Sequence, residues 1–485
     1  MKILFASSEA LPFVKTGGLA DVCGALPKAL ARMGVEVALI LPKYRQVDEK
    51  RFGLRKIPLM PKIPIAQRTE SAEVYATELE PNLQVFLIHK QAYFDREHLY
   101  GSPSGDYEDN AERFTFFSRA VLEVAREWVP DIIHAHDWQT GLVPVYLKTA
   151  FRGDPVLART ASMFTIHNIG YQGLFWHYDL PMTNLGWELF TPQSLEFYGK
   201  LNFLKGGIVF ADAVTTVSRR YMEEIQTPEF GAGLDGVLRD RRRDLYGILN
   251  GVDYDEWSPA KDPFICEKYD SDRLAGKKAC KADLQKEFDL AVNEQIPVIG
   301  IISRLAEQKG FDLITAVMDG MMDLNGQLTI LGTGDEKYHL LLEALAKKYP
   351  RQLGLKIAFH NALAHKIEAG ADMFLMPSRY EPCGLNQIYS LKYGTVPIVR
   401  AVGGLDDTIE DYNPATQQGN GFKFKDYSPA CMLKAIQRAL QLYQDRPQWE
   451  RLMTRGMAAD FSWDRSAKTY LQVYEDILAK KNACA

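Results

Sequence analysis

The sequence lacks any apolar run that approaches the roughly 20 residues needed to cross a bilayer. It also lacks long runs of one charge, and the formal net charge of its 485 residues is −5. Proteins that bind nucleic acid usually carry a basic stripe, and none is visible here. The start, MKILFASSEA, has too short an apolar run for a secretory signal and alternates like a strand. These absences predict a soluble, cytoplasmic protein without nucleic-acid or membrane partners.

Cysteines are few and show no C-x-x-C spacing. The six of them are Cys23, Cys266, Cys280, Cys383, Cys431 and Cys484. Such scattered positions favour free thiols in a reducing compartment over a disulfide framework or a zinc site. Aromatic residues are by contrast plentiful, at 11% of the chain. Such rings can stack on sugars or bases, but packing in the core is the simpler explanation until their positions are known.

Length and patterning predict two or three α/β domains. A chain of 485 residues that is 46% hydrophobic exceeds what one ordinary core holds. Short apolar runs alternate with helical patterns, which is typical of doubly wound parallel sheets. The predicted strands are Lys2–Ser7, Glu36–Leu41, Val85–His89, Ile132–His136, Met163–Ile166, Val214–Val217, Leu245–Leu249, Val298–Ser303, Leu328–Leu331, Lys356–Phe359, Met373–Met376 and Ile398–Arg400. The predicted helices include Gly18–Met33, Asn110–Val129, Phe311–Met322, Glu336–Lys348, Leu385–Tyr393 and Pro429–Tyr443.

The regular pattern stops at Asn250–Lys278, a stretch rich in turn formers and charges. We interpret it as a linker, and predict a first domain at residues 1–252, a linker at 253–276 and a second domain at 277–460. Gln226–Arg243 is also irregular and is predicted to be a long loop. A last helix is expected after Ser462, extending to about Lys480 within a segment at 461–485. Ligands of doubly wound sheets bind at the carboxyl ends of strands, so residues there are the candidates for function.

The loop after the first strand contains Lys15-Thr16-Gly17-Gly18 and leads into a helix. Glycines permit positive φ and a close approach to the backbone, and a helix N-terminus offers unpaired N–H groups with partial positive charge. Together with Lys15 they suit a phosphate. The alternative is a plain glycine loop with a solvated lysine. Neither the G-x-x-x-x-G-K-[ST] order nor G-x-G-x-x-G is present in this loop.

Two loops in the second half carry charged residues directly after strands. Arg304 and Lys309 follow one strand, and both side chains are suited to phosphate, Arg as a planar fork and Lys as a point charge. Glu381 follows another strand, and Gly384 opens the next helix. Ordinary surface charge is the alternative for these residues. Cys383 lacks a His-Asn or His-Asp pattern that would make it a nucleophile.

Histidines also end strands in the first half. His134 and His136 alternate as metal ligands on a strand would, but no third and fourth ligand follows at a suitable spacing, so no metal site is predicted. His167 ends the next strand. A lone histidine is more often a packed residue than a catalyst, and His167 stands out only because other polar groups should converge on the same edge.

Together these segments resemble those of bacterial glycogen synthases and plant-type starch synthases. The matching segments are KTGGLAD at 15–21, HAHDWQ at 134–139, TIHN at 165–168, NGVD at 250–253, SRL at 303–305, QKG at 308–310, EPCGL at 381–385, GTVP at 394–397 and GGLDDT at 403–408. They follow the family's order over nearly the whole chain. K-T-G-G-L and E-P-C-G-L are highly specific in combination, although neither would suffice alone.

The resemblance implies a GT-B fold, in which two Rossmann-like, doubly wound parallel-sheet domains face each other across a cleft and the helix at 461–485 crosses back to the first. It implies transfer of glucose from ADP-glucose to the non-reducing end of an α-1,4-glucan such as glycogen, starch or a maltooligosaccharide. The anomeric configuration would be retained without a metal or any other cofactor. The compartment would be the cytoplasm, or the plastid stroma in a plant-type system.

The same resemblance implies roles for individual residues. His167 would lie near the transferred glucose, and Glu381 would hold its hydroxyls with the N–H groups of Gly384 and Leu385. Arg304, Lys309 and Lys15 would neutralise the departing diphosphate. The other implied substrate-binding residues are Gly17, Gly18, Asp21, Asn168, Asn250, Cys383 and Phe359, the last against adenine where many members have tyrosine. Asp137 and Trp138 belong to the acceptor side, and Asn386 stands where threonine is common. The favoured mechanism is front-face attack by the acceptor hydroxyl, whose proton passes to the diphosphate.

Three other functions are less consistent with the sequence. A sucrose or trehalose-phosphate synthase would share the fold, but the K-T-G-G-L start argues against it. A glucan-binding protein without activity would be expected to lose its cations or Glu381, and all are present. An NAD-dependent dehydrogenase would agree with the α/β pattern, but the sequence lacks a G-x-G-x-x-G strand-turn-helix unit with its acidic partner.

Overall fold

The computed structural model describes residues 1–102 and 105–483, so Cys484 lies outside the described residues. The chain forms two compact units. The first consists of Met1–Val217, Met222–Gly251 and the chain from Trp463 onward, and the second of Ser218–Tyr221 and Val252–Ser462.

Strands and helices alternate between Met1 and Gly251. The strands are β1 (Lys2–Ala6), β2 (Glu36–Pro42), β3 (Arg55–Lys56), β4 (Lys62–Ile65), β5 (Arg68–Ser71), β6 (Glu73–Glu80), β7 (Leu83–His89), β8 (Gly101–Ser102), β9 (Gly105–Asp106), β10 (Ile132–His136), β11 (Ala161–Ile166), β12 (Leu174–Trp176), β13 (Glu196–Phe197), β14 (Lys200–Asn202), β15 (Ala213–Thr216) and β16 (Leu245–Gly247). The helices are α1 (Gly18–Arg32), α2 (Gln91–Phe94), α3 (Asn110–Trp128), α4 (Leu142–Lys148), α5 (Phe203–Phe210), α6 (Arg219–Glu224) and α7 (Asp235–Asp240).

The main sheet of the first unit has nine strands in the order β16-β15-β11-β10-β1-β2-β7-β6-β3. Neighbours run parallel from β16 to β7, and β6 and β3 add antiparallel strands at one edge. The central strands are buried, as expected of a parallel sheet covered on both faces. The strand order reverses between β1 and β10. The loops that follow these two strands therefore flank the position where a doubly wound sheet binds its ligand.

The second unit is built around a six-stranded parallel sheet. Its strands are β17 (Val298–Ile302), β18 (Gln327–Gly332), β19 (Leu353–Ile357), β20 (Met373–Met376), β21 (Val396–Arg400) and β22 (Phe422–Phe424). Its helices are α8 (Ala275–Glu287), α9 (Phe311–Ala316), α10 (Met318–Met322), α11 (Glu336–Lys348), α12 (Asn361–Gly370), α13 (Asn386–Lys392), α14 (Gly403–Thr408), α15 (Pro429–Tyr443) and α16 (Arg446–Ala458). The sheet order is β19-β18-β17-β20-β21-β22, so the reversal lies between β17 and β20.

Alternate residues of this second sheet enter two apolar clusters. Ile299 and Ile301 of β17 belong to one cluster, while Val298 of the same strand belongs to the other. Successive side chains of a strand point to opposite faces, so both faces of the sheet are covered. Such burial fixes the strand register, and with it the positions at which the loops after β17 and β20 begin.

The last helix, α17 (Trp463–Ala483), belongs to the first unit. Its buried residues recur at helical spacing and include Tyr470, Val473, Tyr474 and Ile477. The Tyr474 hydroxyl lies 2.7 Å from Nδ1 of His134 on β10. The chain therefore completes its first unit with its final helix.

The predicted α/β alternation is confirmed, and the local differences include the following. β19 begins at Leu353 rather than Lys356, because Leu353 is buried and anchors the strand start. The predicted helix at 311–322 is divided at Val317 into α9 and α10. The predicted loop at 226–243 contains α7. The antiparallel strands β3 and β6 were not predicted. Among the described residues, no helix combines the length and apolar character needed to span a membrane.

Candidate active site

The loop between β1 and α1 leaves open space beside its two glycines. Gly17 is extended, with φ −155° and ψ −167°, and Gly18 is not among the residues with positive φ. Neither glycine therefore adopts the positive φ that glycine permits. A Cβ added at either position would meet no atom within 4 Å. The glycines thus keep the N-terminus of α1 accessible, which is the feature an anion requires.

Lys15 in this loop is paired with the first turn of α1. Its Nζ lies 2.6 Å from Oδ1 of Asp21. Burial raises the pKa of Asp21, and the ammonium of Lys15 opposes that rise. Because the Lys15 side chain is 39% exposed, an incoming anion can reach it.

Glu9 holds the same loop and was missed in the sequence. It is 3% exposed, accepts a 2.9 Å hydrogen bond from Oγ1 of Thr16, and also accepts one from the Thr16 N–H. Burial raises the pKa of Glu9, and the hydrogen bonds from Thr16 oppose this. An acidic residue three positions after a buried strand, with a threonine seven residues later, was the available signal. Glu9 fixes the backbone next to Lys15.

Three histidines lie on or directly after β10 and β11. His136 Nδ1 is 3.0 Å from His167 Nε2, and His134 Nε2 is 2.6 Å from Oγ1 of Thr165. Burial lowers the pKa of His167 to about 3 and those of His134 and His136 well below the ordinary value. His167 is therefore a neutral imidazole at physiological pH. It can accept or donate one hydrogen bond but does not supply a positive charge.

Asp137 has a strained backbone directly after β10. Its φ is +56° with ψ −179°, a region that non-glycine residues rarely adopt. Its Oδ1 accepts a 2.7 Å hydrogen bond from the N–H of His167, and the N–H of Asn168 donates to the same side chain. Burial raises the pKa of Asp137 to about 7. The strained turn thus joins the carboxylate to the loop after β11.

The Trp138 ring packs within the first unit. It lies 4.9 Å from the Phe114 ring and 5.7 Å from the Phe175 ring, and a Cβ at Gly173 would come within 2.5 Å of it.

Asn250, which follows β16, is 5% exposed, and its side-chain Oδ1 has no hydrogen-bond partner among the described residues. An orphaned buried acceptor of this kind indicates a missing donor, such as a ligand hydroxyl.

In the second unit, the loops after β17 and β20 meet through a short ion pair. Lys309 Nζ is 2.6 Å from Oε2 of Glu381, and their side chains are 19% and 7% exposed. Ser378 donates a second hydrogen bond of 3.0 Å to the same carboxylate oxygen. Arg304 is exposed, and its Nη2 donates to the Gln308 side chain at 3.1 Å. The predicted cation and the predicted carboxylate are therefore in direct contact.

Glycines pack the backbone around Glu381 tightly. Gly384 has φ +69°, which few other residues adopt. A Cβ at Gly403 would lie 1.9 Å from the Glu381 carbonyl oxygen, and one at Gly404 would lie 2.0 Å from that of Cys383. Cys383 itself is buried at 5% exposure. Substitution of these glycines would move the carboxylate.

The three remaining positions of the second unit differ in their surroundings. Asn386 donates from Nδ2 to the carbonyl oxygen of Ile302 at 2.7 Å, which ties the start of α13 to the end of β17. Leu385 precedes it as the residue before that helix. Phe359 follows β19 and is 85% exposed. An apolar ring so exposed at the carboxyl edge of a sheet is suited to stacking.

Comparisons of this chain with known proteins point to one family. Residues 2–240 match the model of the starch synthase catalytic domain, and residues 283–452 match that of glycosyl transferases group 1. A glycogen synthase of Koribacter versatilis is 53% identical to this chain, with 98% of each chain covered. One of Pseudothermotoga lettingae is 47% identical, with 99% of this chain and 100% of that one covered. The chain belongs to the glycogen synthase and starch synthase family.

The predicted resemblance is thus confirmed, and this chain is a glycosyltransferase. A solved structure supports the GT-B fold: the catalytic domain of Starch Synthase IV from Arabidopsis thaliana, bound to ADP and acarbose, superposes with a TM-score of 0.90. That chain is 34% identical, and 99% of each chain is covered. The predicted GT-B architecture of two parallel-sheet domains is confirmed.

Within each unit of this glycosyltransferase, the structure brings predicted residues together. Lys15 contacts Asp21, Asp137 contacts His167, and Lys309 contacts Glu381. Across residues 1–102 and 105–483, no three His, Cys, Asp or Glu side chains are grouped so that they could hold a metal ion. His134 and His136 instead hydrogen-bond Tyr474 and His167.

Proposed function

We propose that this enzyme transfers glucose from ADP-glucose to the non-reducing end of an α-1,4-glucan with retention of configuration. We further propose that the reaction needs no metal ion or other cofactor and that the enzyme acts in the cytoplasm. The family membership supports the reaction class, and the ADP in the Arabidopsis starch synthase supports the nucleotide. Glycogen, starch and maltooligosaccharides are the acceptors that this class implies.

One observation carries the proposal: the pairing of Lys309 with Glu381 at the point where the second sheet reverses its strand order. Cleavage of the bond between glucose and phosphate leaves negative charge on the diphosphate. Lys309 and the exposed Arg304 offer fixed positive charge for it, and Glu381 offers an acceptor for sugar hydroxyls. A diphosphate at Lys309 and a glucosyl group at Glu381 would then be adjacent.

The first unit supports the same reaction with its own residues. Lys15, beside the open N-terminus of α1, is proposed as a third cation for the donor. Asn250 Oδ1 is proposed to accept a hydrogen bond from the donor, because it has no hydrogen-bond partner among the residues that the structure describes. Asp137 and Trp138 are proposed to bind the acceptor chain.

His167 is proposed to act as a hydrogen-bonding group rather than as an acid. Burial lowers its pKa to about 3, so it is not in the imidazolium form at neutral pH and is not suited to act as a general acid. The acceptor hydroxyl would attack the anomeric carbon on the face that the diphosphate leaves. Its proton would then pass to the departing diphosphate, and no protein base is required.

The test is to measure nucleotide release by the purified chain from ADP-glucose and from UDP-glucose, with and without glycogen. We expect ADP release that depends on glycogen, and much less UDP release. Equal or greater use of UDP-glucose would overturn the donor assignment. Nucleotide release without any glycogen-dependent increase would overturn the acceptor assignment.

A further inference from the structure

Two cysteine thiols lie in contact in the second unit, and no role proposed above uses them. Sγ of Cys266 lies 3.9 Å from Sγ of Cys280. Cys266 belongs to the segment before α8 and is exposed, whereas Cys280 is on α8 and is buried. Both are free thiols in this structure. They are 14 positions apart, a spacing that carries no signal in the sequence, so only the fold reveals the contact.

Buried residues on both sides of Cys266 hold the backbone that carries it. Ile265 is 7% exposed and Tyr269 is 2% exposed, and both belong to the apolar cluster that contains Cys280. The Tyr269 hydroxyl donates to a backbone carbonyl oxygen of α12 at 3.2 Å and to one at the end of α13 at 2.9 Å. The backbone at Cys266 is therefore held against α8, while its side chain remains exposed.

Helix α8 allows this segment to approach closely. A Cβ at Gly276 would lie 2.6 Å from the carbonyl oxygen of Lys268, so no side chain fits at that position. Gly276 and Cys280 are one helical turn apart and therefore share a face of α8. The Cys280 thiol donates a 3.3 Å hydrogen bond to the carbonyl oxygen of Glu267. The short distance between the two sulfurs thus follows from the packing of the backbone.

From this geometry we propose that Cys266 and Cys280 form an oxidative modification site, at which a peroxide converts the two thiols into a disulfide within the chain. The exposed Cys266 thiol takes one oxygen atom from hydrogen peroxide and becomes a sulfenic acid, and one water is released. Rotation of its side chain about χ1 brings the sulfurs to bonding distance. The Cys280 sulfur then bonds to the Cys266 sulfur, and the hydroxyl leaves with the Cys280 proton as a second water. The two thiols lose two electrons, which the peroxide accepts.

The surroundings of the two thiols set the order of these steps. Burial raises the pKa of the Cys280 thiol to about 11, so Cys280 stays protonated and is protected from direct oxidation. Cys266 is the thiol that an oxidant can reach. Disulfides of intracellular proteins are usually transient and respond to oxidants, so free thiols at rest agree with this role.

The disulfide would fasten the segment that covers the end of α13. It would close the loop from residue 266 to residue 280, and a closed loop restricts the unfolded chain and thereby stabilises the folded one. Tyr269 within this loop donates to the end of α13, and α13 begins directly after the loop that holds Glu381. Oxidation would therefore strengthen the support of that helix.

The test exposes the reduced, full-length chain to hydrogen peroxide, blocks the remaining thiols with iodoacetamide in denaturant, and digests the chain with trypsin without reduction. Lys268 and Arg273 separate the two cysteines, so the disulfide appears in mass spectrometry as two joined peptides. We expect these joined peptides in the oxidised parent chain, and their disappearance after treatment with dithiothreitol. Oxidation should also raise the midpoint of thermal unfolding of the second unit by about 5 °C.

Three variants serve as controls. Cys266→Ser and Cys280→Ser should yield no joined peptides and no rise in the midpoint. Cys431→Ser is the matched control, because Cys431 is a half-buried thiol of the same unit whose Sγ lies 3.9 Å from Oδ2 of Asp426 rather than from a second sulfur. It should form the disulfide and gain stability as the parent chain does.

Recovery of Cys266 as a sulfinic or sulfonic acid without joined peptides would overturn the inference. A disulfide between two copies of the chain, seen as a dimer in non-reducing electrophoresis, would also overturn it. Joined peptides with an unchanged midpoint would refute the stabilising role. None of these measurements involves glucosyl transfer, so the inference is tested separately from the proposed function.

Discussion

Replacing Lys309 with alanine should impair both turnover and stability, whereas replacing Arg304 should impair turnover alone. Lys309 neutralises a carboxylate that is nearly buried, while Arg304 is exposed and donates to the neutral side chain of Gln308. Both are proposed to stabilise the leaving diphosphate. The two variants therefore separate a catalytic charge from a charge that also supports the fold.

The expected magnitudes follow from these surroundings. Loss of one preorganised charge-stabilising group costs about 10²–10³-fold in kcat, so each variant should fall by at least tenfold. Breaking a fully buried ion pair costs about 3–5 kcal/mol. Lys309 is 19% exposed and Glu381 keeps its hydrogen bond from Ser378, so we expect about 1–3 kcal/mol for Lys309→Ala. Arg304→Ala should change stability by less than about 0.5 kcal/mol.

The assay is ADP release at saturating ADP-glucose and glycogen, combined with urea unfolding of each variant. Lys348→Ala is the matched control, because Lys348 pairs with Asp319 at 2.8 Å but both side chains are more than half exposed. It should leave turnover and stability unchanged. In a Glu381→Gln background, Lys309→Ala should cost less stability, because no buried charge is left without its partner.

Near-normal turnover in both Lys309→Ala and Arg304→Ala would remove these residues from the mechanism. A Lys309→Ala variant as stable as the parent chain would show that the Lys309–Glu381 pair contributes nothing to folding. Equal stability losses in Lys309→Ala and Lys348→Ala would show that burial of the pair has no consequence.

Three further outcomes are expected. Activity should be unaffected by EDTA; a loss that an added divalent metal restores would contradict the metal-free mechanism. Phe359→Ala should raise the KM for ADP-glucose about tenfold with little change in kcat, whereas Phe359→Tyr should leave that KM unchanged, because stacking on adenine needs only a ring. The same KM for ADP-glucose in the two variants would exclude stacking. Burial raises the pKa of Glu368 to about 8, so the stability it contributes is full below about pH 4.5 and is lost as the pH rises through 8. Glu368→Gln should therefore melt above the parent chain at pH 8.5 but not at pH 4.5, and the same difference at both pH values would refute the assigned pKa.

The sequence was sufficient for most of the parallel framework. β10 and β20 have the predicted bounds, because a central strand buried on both faces is a compact apolar run between turns. β6 was missed, since its residues Glu73–Glu80 are mostly half-exposed and mix charges with single apolar positions. β19 was placed too late, because the apolar Phe359 was counted as part of the strand although it is 85% exposed.

The sequence predicted which positions belong to the candidate site, but not which of these residues contact one another. Residues after strands could be identified, since parallel sheets bind ligands at that edge. The contact between Lys309 and Glu381 joins residues 72 positions apart, and spacing alone carries no signal for it. The support of Thr16 by Glu9 and the contact of His136 with His167 depend on tertiary packing in the same way. These partners determine which charges are neutralised before substrate arrives.

The placement of α17 has a consequence for synthesis on the ribosome. His134 and Tyr474, whose side chains meet inside the first unit, are separated by 340 residues of chain. The N-terminal sheet can form early, but the surface that receives α17 stays uncovered until residues 463–483 have been synthesised. A chain that stops shortly before Trp463 would therefore keep this surface uncovered, and quality control of newly made chains would act on it before any enzyme could mature.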